Sequence, residues 1–287
     1  MNDKMKNLWV RSVSGAVLVV VVLGAILWSK WSFAALLMAI LIGGESEFYR
    51  MAQKAGYAPQ KILGFVAGAI ILMVAFILMW LLDDSTTVSS QYLIIAVGLA
   101  LYIMMLIPVM FICELYRKSP TPIANIGSTL MGIVYVAMPL ALLFFIPLLL
   151  GRGVWNPWAL IFYIFIIWAN DVCAYLVGMS IGKHRLFQRI SPKKSWEGFI
   201  GGLVGAMVMG YVASTFMEGT HAIWIGMALI AAITGVFGDL VESLLKRSVD
   251  VKDSGNILPG HGGWLDRFDA LLLSIPFVFI YLVFCID

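Results

Sequence analysis

Nine apolar runs constrain the fold of this chain more than any other sequence feature. Most of them approach the length of about 20 residues that an α-helix needs to cross about 30 Å of hydrocarbon. They cover residues 10–28, 31–44, 62–82, 91–112, 129–150, 157–178, 198–216, 222–241 and 268–286. Only 12% of the residues are charged, whereas a water-soluble domain has about 25%. The sequence therefore predicts an all-α polytopic membrane protein with about nine transmembrane helices and excludes a water-soluble domain.

The basic residues predict how these helices are oriented. If the N-terminus is cytoplasmic, 17 of the 19 Lys and Arg residues fall on the cytoplasmic side, and only Lys30 and Arg152 fall outside. Loops that are rich in Lys and Arg remain in the cytoplasm. We therefore expect a cytoplasmic N-terminus and a C-terminus on the periplasmic or outer side.

The polar residues divide the chain into two regions. Residues 1–150 contain about five of the predicted helices and short, plain loops. Residues 151–287 contain two long cytoplasmic loops, 179–197 and 242–267, which are rich in charge, Gly and Ser. Long ordered loops commonly carry function, so we expect the chemistry of the protein in the second region.

Carboxylates lie near the cytoplasmic ends of three predicted helices. Asp171 lies 14 residues into the sixth run, where an ionisable group costs a few kcal/mol and usually faces a helix bundle or a wet cavity. The eighth run ends in a polar stripe at helical spacing that consists of Asp239, Glu242, Ser243 and Lys246. The ninth run begins with Asp266 and Asp269. Hard oxygen ligands of this kind suit Mg²⁺, although structural packing and ion transport would use the same residue types.

Two polar loops add groups that can bind an anion. Ser191, Lys193, Lys194 and Ser195 precede a predicted helix start, where hydroxyls, lysines and backbone N–H groups can hold a phosphate. A basic cluster that faces anionic lipid is the plainer interpretation. The second loop contains His261 beside two glycines, and a lone His in this setting is more often structural than catalytic.

The residues of these loops resemble a known family signature. It consists of Ser243-x-Leu245-Lys246-Arg247, then Lys252-Asp253-x-Gly255, then Leu258-Pro259-Gly260-His261-Gly262-Gly263-x-x-Asp266-Arg267-Phe268-Asp269. This pattern resembles the signature of the phosphatidate cytidylyltransferases, also called CDP-diacylglycerol synthases. The similarity extends through Asn170-Asp171 and Ser191-Pro192-Lys193-Lys194, so the motifs cover about 161–275. Trp264 and Ser195 depart from the residues that are common in the family. The first 150 residues resemble it mainly in hydropathy and in the acidic segment Glu45-Ser46-Glu47.

The resemblance implies a Mg²⁺-dependent, homodimeric enzyme that converts CTP and phosphatidate to CDP-diacylglycerol and pyrophosphate. It leaves a monovalent cation requirement open and implies no nucleic-acid partner. The expected location is a bacterial-type inner (plasma) membrane, in contact with membrane lipids and with the active site facing the cytoplasm.

The resemblance and the residue pattern together assign roles to individual residues. Metal coordination is expected from Asp171, Asp239, Asp266 and Asp269. Four basic residues complete the catalytic set around the phosphates: Lys246, Arg247, Lys252 and Arg267. Substrate binding is expected from Ser191, Lys193, Lys194, Ser195, Ser243, His261, Gly262 and Gly263.

Two other functions remain open at the level of sequence. A secondary transporter would carry its polar groups at the midplane of paired, broken helices, often in internal repeats. Here the polar residues gather at one face and no repeat is evident. A kinase or cytidylyltransferase that acts on an isoprenoid or ether lipid would keep the same chemistry with a different acceptor.

Overall fold

The computed structural model describes residues 3–83, 90–217, 219–255 and 262–285, and these residues are predominantly helical. The helices are α1 (Asp3–Trp28), α2 (Lys30–Lys54), α3 (Lys61–Leu82), α4 (Ser90–Arg117), α5 (Pro122–Gly132), α6 (Met138–Leu143), α7 (Ile146–Leu150), α8 (Pro157–Ile181), α9 (Trp196–Phe216), α10 (His221–Ser248) and α11 (Leu265–Cys285). A π-helical turn, Ile133–Ala137, joins α5 to α6. Two short strands, β1 (Arg185–Phe187) and β2 (Ser191–Ser195), lie between α8 and α9.

The predicted membrane spans are helices. Among the described residues, eight helical segments are long and apolar enough to cross a membrane, and Ser12–Trp28 forms a shorter apolar helix at the N-terminal end. This confirms the all-α polytopic fold. Helix α10 continues to Ser248, so the first part of the predicted loop 242–267 is helical.

The fifth span is less regular than its sequence predicts. It begins at Pro122 and runs to Leu150 as one apolar segment, but a π-helical turn and a break after Leu143 interrupt it. Pro139 and Pro147 each occupy the first turn of a helical piece. For Pro147, which follows the break, the missing N–H group would have no helical partner. Pro147 therefore fits at the start of α7 without the loss of a helical hydrogen bond.

The loop after α8 forms a small antiparallel hairpin. Arg185 pairs with Ser195, and Phe187 pairs with Ser191. The first turn of α9 holds the base of the hairpin, because Glu197 accepts the backbone N–H of Lys183 at 3.1 Å. Strands of three and five residues are too short to produce a period-2 pattern, which explains why the sequence predicts only a loop.

The described contacts divide the chain into two compact units. Unit 1 contains residues 1–144 and 253–267, and unit 2 contains residues 145–252 and 268–287. The motif segment 253–267 therefore belongs to the same unit as the N-terminal helices.

Unit 1 is stabilised at one end by a buried polar network. The Glu114 carboxylate accepts hydrogen bonds from Gln60 Nε2 at 2.7 Å, Asn125 Nδ2 at 2.6 Å and Arg117 Nη1 at 2.8 Å. Buried polar groups cost free energy unless they are paired, so this network fixes the ends of α3, α4 and α5 against one another.

Unit 2 is built on close packing between α8 and α9. Glycines on α9 face larger side chains on α8: a Cβ at Gly201 would meet the side chain of Val177, and one at Gly205 would meet that of Cys173. Small residues allow membrane helices to approach closely. This packing fixes the position of α8, which carries Asp171.

Candidate active site

Three carboxylates of unit 2 converge. Asp239 and Glu242 lie one turn apart on α10, and Asp269 lies near the start of α11. One carboxylate oxygen from each lies within 4.8 Å of the others. The spacing fits a divalent cation, since each residue can contribute one hard oxygen ligand.

Gly238 allows this convergence. A Cβ at Gly238 would lie 2.5 Å from the carbonyl oxygen of Asp269 and 3.0 Å from the Cα of Ala270. Only glycine therefore allows α11 to pass this close to α10. Because Gly238 directly precedes Asp239, the close approach that it permits brings the acidic segments of α10 and α11 together.

Two lysines neutralise part of the negative charge. Lys194, at the end of the β1–β2 hairpin, forms an ion pair with Asp239. Lys246 forms an ion pair with Glu242 one turn further along α10. Glu242 is fully buried and Lys246 is 9% exposed, so their pair is shielded from water.

Asp171 belongs to the same electrostatic group. Its carboxylate interacts with the charges of Lys194 and Asp239, and Asn170 Nδ2 donates to its Oδ1 at 3.4 Å. Asp269 in turn interacts with Asp239, Glu242 and Asp171. Unit 2 therefore gathers four carboxylates and two lysines, which leaves an excess of two negative charges when all are ionised.

This excess charge favours a bound cation. Two carboxylate charges no more than 4.8 Å apart repel by at least about 3.5 kcal/mol at an effective dielectric constant of about 20. A divalent ion offsets that repulsion, and carboxylate oxygens are the ligands that Mg²⁺ prefers. The donor set thus fits the expected ion, with Asp239, Glu242 and Asp269 as its candidate ligands.

A second group of motif residues is organised within unit 1. Asp266 Oδ2 accepts hydrogen bonds from Ser254 N at 2.9 Å and Gly263 N at 2.8 Å, and Ser254 Oγ lies 3.0 Å from it. Glu47 of α2 accepts from Trp264 N at 2.9 Å, Leu265 N at 3.0 Å and Ser254 Oγ at 2.7 Å. These two carboxylates hold the two described edges of the glycine-rich loop.

Two positions in unit 1 require glycine. Gly262 adopts a left-handed backbone conformation, and Gly43 makes room for the side chain of Trp264. Gly262 has a φ of +78°, a conformation that residues with a Cβ rarely adopt. A Cβ at Gly43 would overlap the indole ring of Trp264. The unusual tryptophan of the motif therefore packs against a backbone surface that α2 keeps free of side chains.

The remaining predicted site residues differ in exposure and contacts. Ser195 is buried, and its hydroxyl caps α9 by accepting the backbone N–H of Gly198 at 3.1 Å. Ser191 and Ser243 are half-buried. The basic residues Lys193, Arg247, Lys252 and Arg267 are exposed. His261 lies outside the described residues.

Two acidic residues at these sites are absent from the predicted set. The sequence places Glu242 on the same helical stripe as Asp239, at i, i+3, but assigns it no role in the site. Glu47 belongs to an acidic segment at the end of α2, but its bonded partner Ser254 lies 207 residues away in the chain. No local pattern could have predicted that contact.

The chain belongs to the cytidylyltransferase family, whose sequence pattern matches residues 9–285. It is 29% identical over 286 residues to a protein of Rickettsia bellii (strain RML369-C) named phosphatidate cytidylyltransferase, and the alignment covers 96% of this chain and 92% of the relative. These matches confirm the resemblance expected from the motifs.

Other relatives of that name align over a shorter stretch. The protein of Bacillus subtilis (strain 168) is 50% identical over 120 residues, which cover 41% of this chain and 44% of the relative. That of Staphylococcus aureus (strain COL) is 48% identical over 120 residues, covering 41% of this chain and 46% of the relative. In these alignments the chain spans about half the length of the relatives.

We predict that Lys246→Met destabilises the protein. The substitution leaves the buried carboxylate of Glu242 without its lysine partner, and breaking a buried pair costs about 3–5 kcal/mol. The thermal midpoint in detergent without divalent cations should fall by about 5 °C or more. Arg247→Met, which removes the adjacent exposed charge, is the matched control and should change the midpoint far less. Equal midpoints for the two variants would contradict the shielded ion pair.

Proposed function

We propose that this protein is a phosphatidate cytidylyltransferase, which transfers a cytidylyl group from CTP to phosphatidate and releases pyrophosphate. The carboxylate cluster Asp239, Glu242 and Asp269 carries the proposal, because it offers a divalent-cation site flanked by two lysines. Family membership and the names of the relatives support the same reaction. Asp266 is assigned to this reaction through the family motif that it shares with Asp269.

The reaction requires positioning and charge neutralisation more than acid–base catalysis. A phosphate oxygen of phosphatidate attacks the α-phosphorus of CTP, and the bond to pyrophosphate breaks. The second pKa of a phosphomonoester is near 6, so the attacking oxygen is already ionised at neutral pH. No strong general base is needed, which suits a chain with three histidines in all.

The residues of the chain divide this work. Asp239, Glu242 and Asp269 would hold a Mg²⁺ ion, which would supply positive charge to neutralise the phosphates. Lys194 lies beside the acidic ligand Asp239 and can transfer its contact to a phosphate oxygen when the substrates bind. Lys246 neutralises the buried Glu242.

Exposed basic groups of each unit can attract the phosphates of the substrates. In unit 2 these groups are Lys193, Arg247 and Lys252, and in unit 1 the group is Arg267. Ser191, Ser243 and the backbone N–H of Gly262 can donate hydrogen bonds to phosphate oxygens, whereas the N–H of Gly263 already donates to Asp266. Ser195 contributes by capping α9, which fixes the end of the strand that carries Lys193 and Lys194.

We further propose that the acidic helix ends face the cytoplasm of a bacterial inner membrane, where soluble CTP can meet a membrane lipid. The concentration of basic residues on one side of the predicted topology supports this orientation. The homodimer implied by the family resemblance is part of the same proposal and can be measured by light scattering of the purified protein.

Labelling of single cysteines tests the orientation. In a chain with Cys113, Cys173 and Cys285 replaced by alanine, Arg152→Cys should react with a membrane-impermeant maleimide in intact spheroplasts. Arg189→Cys, in the hairpin, should react only after the membrane is opened. Labelling of the hairpin variant in intact spheroplasts would contradict the proposed orientation.

Pyrophosphate release tests the reaction. Purified protein in micelles that contain phosphatidate should release pyrophosphate from CTP or dCTP in the presence of Mg²⁺, and not from ATP, GTP or UTP. Omission of phosphatidate or Mg²⁺ should abolish the release. Folded protein that releases no pyrophosphate with any nucleotide would exclude the proposed activity.

We predict that Asp239→Asn lowers the rate of this release by about 100-fold or more, because it removes one ligand charge and the partner of Lys194. Asp250→Asn is the matched control: Asp250 is exposed and has a φ of +53°, a conformation that asparagine tolerates well. The control should retain the wild-type rate. Comparable rates for the two variants would refute the role of Asp239.

A further inference from the structure

We propose that Glu47 is a positioning residue that holds the two described edges of the glycine-rich motif, residues 253–255 and 262–265, in their active arrangement. The family resemblance includes Glu47 in the acidic segment Glu45-Ser46-Glu47 but assigns it no role. The proposal deepens the function proposed above and rests on it.

The geometry of Glu47 is that of a helix cap supplied by a distant part of the chain. The side chain is fully buried. Oε1 accepts the N–H of Trp264 at 2.9 Å, and Oε2 accepts that of Leu265 at 3.0 Å. The first N–H groups of a helix have no partner within the helix. Glu47 supplies partners for the beginning of α11, and a carboxylate is favoured there by the helix dipole.

The same carboxylate also binds the other edge of the segment. Ser254 Oγ donates to Glu47 Oε2 at 2.7 Å and also lies 3.0 Å from Asp266 Oδ2. Glu47 therefore connects the residues that precede the undescribed part of the loop to those that follow it. Asp266 reinforces this connection from within α11.

Two glycines of the motif make space for Glu47. A Cβ at Gly255 would overlap Glu47 Oε1, and a Cβ at Gly263 would overlap both carboxylate oxygens and Ser254 Oγ. Each motif edge is thus shaped to fit the carboxylate. This close fit is what a positioning role requires, since a shift of Glu47 would be passed directly to the first turn of α11.

Glutamine cannot reproduce these contacts. In Glu47→Gln one of the two acceptor oxygens becomes an NH₂ donor, and a donor facing the N–H of Trp264 or Leu265 leaves that group unpaired. Hydrogen bonds to charged groups are about twice as strong as neutral ones, so the loss affects both edges of the segment.

Hydrogen–deuterium exchange of the purified full-length protein in detergent tests the contact without depending on activity. In Glu47→Gln the amides of Trp264 and Leu265 should exchange about tenfold or more faster than in the wild type. The exchange of α3 and α4 should be unchanged.

Glu45→Gln provides the matched control. Glu45 is fully buried on the same helix, and neither of its carboxylate oxygens has a hydrogen-bond partner among the described residues. The same chemical change two residues away should therefore leave both the exchange of Trp264 and Leu265 and the rate of pyrophosphate release close to wild type.

Kinetics then distinguish positioning from stability alone. Glu47→Gln should lower kcat for pyrophosphate release by about tenfold or more, with a smaller change in KM for CTP. Because Glu47 and Ser254 act through one contact, adding Ser254→Ala to Glu47→Gln should lower kcat by less than the product of the two single effects.

Unchanged exchange at Trp264 and Leu265, or faster exchange with wild-type kcat, would overturn the proposal. If Glu47→Gln does not fold, Ser254→Ala, which removes one donor to Glu47, decides by the same two measurements, exchange at Trp264 and Leu265 and kcat. An inactive wild-type protein would refute the proposed function instead, and the exchange experiment would still test the contact.

Discussion

The need to neutralise carboxylates in a membrane protein is the constraint on which the rest of this structure depends. Asp239, Glu242 and Asp269 bring their oxygens within 4.8 Å of one another, an arrangement that is unfavourable without compensating positive charge. Two lysines supply part of that charge, and a divalent cation would supply the remainder. Without a cation, the clustered carboxylates would destabilise the helix ends. With a divalent cation bound, the same cluster can serve nucleotidyl transfer.

The two units organise the motif residues in different ways. In unit 2, Gly238 brings α10 and α11 together, so that the carboxylates converge. In unit 1, Glu47 and Asp266 bind backbone N–H groups and Ser254, so that carboxylates organise a loop. The first arrangement leaves negative charge for a cation to offset, whereas the second uses that charge to fix the backbone. The N-terminal helices thereby contribute to the motif segment as well as to the membrane-embedded part of the protein.

The sequence predicts the spans well, because apolar runs of about 20 residues have few alternatives to membrane helices. It misses the hairpin that carries Lys194 and the π-helical turn at Ile133–Ala137, since neither has a periodic pattern of its own. The sequence predicts Asp239 and Asp269 as site residues because they lie at the ends of predicted helices. Glu242 is recognisable only by its spacing from Asp239, and Glu47 cannot be identified locally because its contacts depend on the tertiary fold.

Binding of Mn²⁺, a paramagnetic substitute for Mg²⁺, tests the central claim most directly. Electron paramagnetic resonance of the purified protein without nucleotide should detect bound Mn²⁺ that Mg²⁺ displaces. Glu242→Gln and Asp269→Asn should each weaken this binding about tenfold or more, whereas Asp250→Asn should bind as the wild type does. Equal Mn²⁺ affinity in all four proteins would contradict a cation site at the carboxylate cluster.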